Sequence, residues 1–160
     1  MKAFQVRAPF EFGLAQVDRP QVAHGEVQVD VAYAGICGSD MHIIHGQNAF
    51  VRFPRVTGHE FSGVIRQVGE GVEHLQVGDR VCIDPVISCG TCYPCRIGRP
   101  NVCTRLQVIG VHRDGGFSEQ VCVPAENAHR LPDSMSLSHG ALVEPYSIAL
   151  NVLDRMQPHP

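Results

Sequence analysis

Gly58-His59-Glu60-Phe61-Ser62-Gly63-Val64-Ile65-Arg66-Gln67-Val68-Gly69-Glu70-Gly71 is the stretch on which the fold turns. Its second half, Gly63 to Gly69, is a β-rich run bounded by glycines, as a short strand between turns should be. Gly69-Glu70-Gly71-Val72-Glu73-His74 opens like a dinucleotide-binding fingerprint, but the third glycine is missing and no helical pattern follows. That fingerprint needs a strand running into a helix, so a hairpin turn is the better reading. Working outward, Val27-Gln28-Val29-Asp30-Val31 alternates apolar and polar with period two, the pattern of a half-buried strand. Gly78-Asp79 turns into Arg80-Val81-Cys82-Ile83, and Asp114-Gly115-Gly116 turns into a further β-rich run over 117–123. Sixteen glycines and eleven prolines at this spacing predict a small, mainly β barrel with short helices.

Two segments read as helical. Residues 39–45 fit a short helix with Ser39 as its cap and Gly46 as its stop. Further on, Pro145 suits a first helical position, and Ile148, Ala149, Val152, Leu153 and Met156 recur at the spacing of one buried helix face. The 160 residues carry a net charge of −3 with no run of lysine and arginine, which argues against nucleic acid or an anionic membrane as partner. No apolar stretch approaches the length of a membrane span. The first residues lack the apolar centre of a signal peptide, so the cytoplasm is the expected compartment.

Four of the seven cysteines crowd into one stretch, Cys89-Gly90-Thr91-Cys92-Tyr93-Pro94-Cys95 followed by Cys103. Thiolates two residues apart on a tight turn can share one ion, and four of them complete a tetrahedral shell around zinc. The opening C-x2-C-x2-C is also that of ferredoxins, but their run continues with a gap of three before a cysteine–proline pair, and here the gap is seven. Disulfides are the third reading, one that a cytosolic setting disfavours. A closed shell of four thiolates leaves no position for substrate, so this site would be a structural staple.

Cys37, His59 and Glu144 offer a thiolate, an imidazole and a carboxylate, the donor types of a catalytic zinc with one open position. Each has an ordinary alternative: a small buried hydrophobe, a hydrogen-bonded structural histidine, a helix-dipole partner. Spacing alone does not show that they meet.

Gly58-His59-Glu60-x2-Gly63-x5-Gly69-x2-Val72, preceded by Cys37-Gly38-Ser39-Asp40 and followed by the four-cysteine lobe, resembles the zinc-dependent medium-chain alcohol dehydrogenase family over essentially the whole chain. The resemblance implies a GroES-like, partly open barrel spanning 1–145, with a structural-zinc lobe at about 88–104 and, over 146–160, the start of a helix leading to a nucleotide-binding Rossmann domain absent from this chain. It implies a catalytic zinc on Cys37, His59 and Glu144 and a structural zinc on Cys89, Cys92, Cys95 and Cys103. Glu60 resembles the family's carboxylate behind the metal, and Asp40 the partner that orients the ligand histidine. Ser39 and His42 match the positions of a proton relay, with a path through water and Glu60 as its alternative.

The implied activity is zinc-assisted transfer of hydride from an alcohol to NAD or NADP. A glutamate as third ligand looks like the sorbitol, threonine and sugar-acid branch. Pro54 to Glu60, Asp84 to Gly90 and Gly110 to Phe117 look like sugar-acid dehydrogenases of the L-galactonate, L-gulonate and L-idonate 5-dehydrogenase type and the related starvation-sensing protein. The expected substrate is a small-molecule polyol or sugar acid whose secondary hydroxyl becomes a ketone, with Arg113 or Arg52 pairing with a carboxylate. The whole protein is expected to be a homo-oligomer. A non-catalytic GroES-like zinc-binding module and a zinc-free reductase are the competing readings.

Overall fold

A computed structural model describes residues 1–156. Its centre is a five-stranded antiparallel sheet. The longest strands, β3 (Glu26–Gly35) and β5 (Glu60–Val68), pair along most of their length, from Val27 opposite Val68 to Gly35 opposite Glu60. β6 (Arg80–Ile83) and β10 (Ala128–Arg130) extend the sheet on one side, and β9 (Gln120–Pro124) on the other. The order is β10-β6-β5-β3-β9.

A second sheet joins a hairpin of β1 (Lys2–Ala8) and β2 (Glu11–Gln16) to the short β4 (Arg55–Val56), in the order β2-β1-β4. The two sheets meet where Phe4 N–H donates to the Phe117 carbonyl at 2.7 Å and Ala3 bridges Ser118. That seam wraps the strands into the expected partly open barrel. Inside it Val27, Val29, Phe61, Ile65, Val81, Ile83, Val121 and Val123 form one apolar cluster. Each such side chain contributes about 1.5–3 kcal/mol by leaving water.

The alternation in β3 has a twist. Val27 and Val29 face the core, but Gln28 on the opposite face is buried as well, its amide donating to the Pro20 carbonyl at 2.7 Å. The segment after β2 covers a face that alternation alone would leave wet.

The helices are few. α1 spans Gly38–Ile44 and ends before Gly46, whose φ of +70° is the left-handed stop expected there. Its cap residue is Cys37 instead of Ser39: Cys37 is extended, and the Asp40 carboxylate three residues on accepts the Cys37 N–H. An aspartate at the third helical position accepts the cap residue's own N–H, the reciprocal half of a capping box, and places the cap two residues before Ser39. Two one-turn helices follow, α2 (Tyr93–Arg96) and α3 (Leu137–Gly140). α4 runs Val143–Met156, so Pro145 stands at its third position, not its first. The missing N–H of a proline does no harm anywhere in a first turn, where no intrahelical acceptor exists. No described residue of α4 is buried, and Tyr146, Ile148, Leu150, Val152, Leu153 and Met156 all face outward. No helix among the described residues is long and apolar enough to cross a membrane.

Candidate metal centres

The cysteine lobe projects from a two-stranded ladder, β7 (Val86–Ile87) with β8 (Gln107–Val108). All four sulfurs lie within 4.8 Å of one another. Cys92 Sγ is 3.3 Å from Cys95 Sγ and 3.8 Å from Cys103 Sγ. A tetrahedron with Zn–S bonds of about 2.3 Å has sulfurs about 3.8 Å apart, so this spacing suits one ion. It is far from the bonded S–S length of about 2.05 Å, and all seven cysteines are free.

The backbone is arranged for thiolates. Cys89 N–H donates to Cys103 Sγ at 3.3 Å, Cys92 N–H to Cys89 Sγ at 3.4 Å, and Arg105 N–H to Cys103 Sγ at 3.3 Å. Hydrogen bonds from the Thr91 and Cys92 backbones pull the Cys89 thiol down to about 5. Desolvation, then the neighbouring Cys92, pushes Cys95 up to about 12. Four sulfurs within 4.8 Å of one another, with backbone N–H groups aimed at Cys89 and Cys103, are the setting of a shared cation. The donors therefore fit a zinc ion.

The second centre is built by strand register. Because Gly35 at the end of β3 lies opposite Glu60 at the start of β5, the residues just beyond them, Cys37 and His59, are brought side by side. Gly58 holds a φ of +90°, a left-handed turn that delivers His59 into the sheet. Ligating atoms of Cys37, His59 and Glu60 all fall within 4.8 Å of one another. His59 and Glu60 are each 9% exposed, and His59 Nδ1 is a buried atom with no hydrogen-bond partner. A cysteine, an imidazole and a carboxyl group gathered within 4.8 Å, the last two largely buried, are the donor types a divalent metal requires.

Asp40, 1% exposed, lies beneath them. Its Oδ2 accepts the Cys37 N–H at 3.0 Å and its Oδ1 accepts the Gly58 N–H at 3.1 Å. One carboxylate thus ties both ligand-bearing segments by their backbones. Its distance to His59 Nδ1 is 3.9 Å, an ion-pair approach too long for a hydrogen bond. Capping logic applied to Cys37-Gly38-Ser39-Asp40 would have found the first of these bonds; the second depends on tertiary structure.

Glu144, half-buried in the first turn of α4, lies outside this tight set but faces it. Burial raises its pKa, His59 lowers it, and the like charges of Glu60 and Asp84 raise it again. Asp84, which sequence reasoning did not single out, thus belongs to the acidic rim. Ser39 is half-buried on the first turn of α1 and His42 exposed on its last. Arg113 is engaged by Glu26 in an ion pair, whereas Arg52 is exposed.

Comparison with known proteins gives this geometry its context. The alcohol dehydrogenase GroES-like domain family matches residues 23–133. The starvation-sensing protein RspB of Escherichia coli K12 is 52% identical over 158 residues, covering 99% of this chain and 47% of that protein. The 2-dehydro-3-deoxy-L-galactonate 5-dehydrogenase of Pseudoalteromonas atlantica is 45% identical over 132 residues, covering 82% of this chain and 39% of that protein. The crystal structure of RspB from Escherichia coli CFT073, complexed with NADH, superposes with a TM-score of 0.92 at 52% identity, over 99% of this chain and 46% of that one. The chain spans about half the length of the curated relatives it matches. With the cysteine lobe and the strand-end centre both in place, the chain belongs to the zinc-type medium-chain alcohol dehydrogenases, as their GroES-like domain.

Proposed function

We propose that this segment is the metal-binding, substrate-side portion of a zinc-dependent dehydrogenase that oxidises a secondary hydroxyl of a sugar acid or polyol to a ketone, with NAD or NADP as acceptor. The observation that carries this reading is the convergence of Cys37, His59 and Glu60 within 4.8 Å at the mouth of the barrel's two longest strands. The nicotinamide acceptor is supported by the NADH bound to a relative of 52% identity. The substrate class is supported by a relative of 45% identity named as a sugar-acid 5-dehydrogenase.

A zinc ion held by these residues would act as a Lewis acid, making a neighbouring hydroxyl more acidic. Cys37 and His59 are its fixed donors, anchored through the backbone by Asp40. Glu60 adds a carboxylate from the same strand end, and Glu144 offers a second from the first turn of α4. Ser39 Oγ, two residues from Cys37, accepts the substrate proton and passes it to the exposed His42 imidazole, which releases it to water. Glu60 and water form the alternative path. Arg52 is the candidate for a substrate carboxylate, because Glu26 already occupies the guanidinium of Arg113. The four-cysteine lobe is closed and takes no part beyond holding its own segment.

The test uses the whole protein. Metal analysis is expected to give two zinc ions per chain, one for each donor set. Cys37→Ala and His59→Ala should each lose one ion and all turnover of aldonates and polyols with either nicotinamide, with the fold intact by circular dichroism. Wild-type-like turnover in either variant would refute the assignment. A single zinc in the wild type, with no turnover, would leave a stapled scaffold.

A further inference from the structure

We propose that Gly35 is a positioning residue for the strand-end metal centre: the absence of a side chain there is what lets the Glu60 carboxylate reach Cys37 and His59. The inference rests on the proposed metal site and adds the determinant of its third donor. Gly35 and Glu60 are direct cross-strand partners on β3 and β5. A Cβ at Gly35 would stand 2.5 Å from Glu60 Oε2, 3.3 Å from its Cβ and 3.6 Å from its Cδ. The carboxylate therefore occupies the space that any other residue would fill.

The backbone does not explain the glycine. Gly35 is absent from the residues with positive φ, so alanine could adopt its conformation without strain. Nor does crowding by another neighbour explain it, because the three atoms a methyl would approach most closely all belong to Glu60. The nearest of them, Oε2, is the far end of a flexible side chain, so a methyl is accommodated by turning the carboxylate away and by a shift of a few tenths of an ångström at the Glu60 Cβ. Glu60 is 9% exposed, and a buried carboxylate displaced from a cation must find water or another partner. Glu144, on the rim, is then the carboxylate left facing His59.

The test is a double-mutant cycle on the whole zinc-loaded protein with Gly35→Ala, Glu60→Ala and the pair. The readout is affinity for the more weakly held zinc, measured by competition with a chelator, with the ion of the four-cysteine lobe as internal reference. Each single variant is expected to weaken the site by about 10–100-fold, as loss of a supporting contact does. The pair should be no weaker than Glu60→Ala alone, because the methyl acts only through the carboxylate. A crystal structure of Gly35→Ala should place both Glu60 oxygens away from the metal. Should Gly35→Ala fold poorly, Glu60→Ala in the same chain must restore folding, since it removes Oε2 and Cδ and leaves only the Cβ at 3.3 Å. Additive losses, unchanged affinity in Gly35→Ala beside a weakened Glu60→Ala, or no such rescue would overturn the proposal. If Cys37→Ala and His59→Ala also leave both ions bound, it is the metal site itself that fails.

Discussion

Two backbone N–H groups from segments 21 residues apart, those of Cys37 and Gly58, end on the carboxylate of Asp40, which is 1% exposed. A buried N–H left without an acceptor costs about 1–3 kcal/mol, and both would be orphaned together by Asp40→Ala. That variant should lose about 2–5 kcal/mol of stability by chemical denaturation. Asp40→Asn, which keeps one acceptor oxygen, should lose roughly half as much. A loss below about 1 kcal/mol in Asp40→Ala would show that the clamp is incidental. The segments that carry the thiol and the imidazole are thus tied from below by one carboxylate through their backbones.

At the scale of elements, the cysteine lobe is tethered to the barrel by a ladder of two residues on each side. Its loop carries few buried apolar side chains, Cys103 among them, so a bound ion has to supply much of its order. Cys95→Ala should remove one zinc per chain and lower the melting temperature, and leave metal binding at Cys37 and His59 unaffected. Unchanged melting and unchanged zinc content would contradict the staple.

Legibility from sequence follows the same division between local and distant. The lobe could be read because its four ligands lie within fifteen residues, and β5 and β6 because glycines bound their apolar runs. Cys37, His59 and Glu144 could be listed as donor types but not joined, and Glu60 entered only through the family resemblance, since the meeting of Cys37, His59 and Glu60 depends on the β3–β5 register. β4, β7 and β8, two residues each, owe their existence to a partner strand and carry no pattern of their own. The start of α4 lies two residues ahead of Pro145, because proline marks a first turn without marking which position in it.

For the molecule as a whole, the barrel satisfies itself: its core is closed by the seam between the sheets, and no described residue of its longest helix belongs to that core. Leu150 and Leu153 are 60% and 53% exposed on α4, beside Tyr146 and Val152. Handled as a separate piece, the barrel carries an oily ridge, and molecules in solution would find one another through it. Light scattering should therefore rise with concentration for residues 1–156 alone and fall when Leu150 and Leu153 are both changed to glutamate, with the melting temperature nearly unmoved because neither leucine supports the core. Equal scattering before and after that change would mean the ridge is inert.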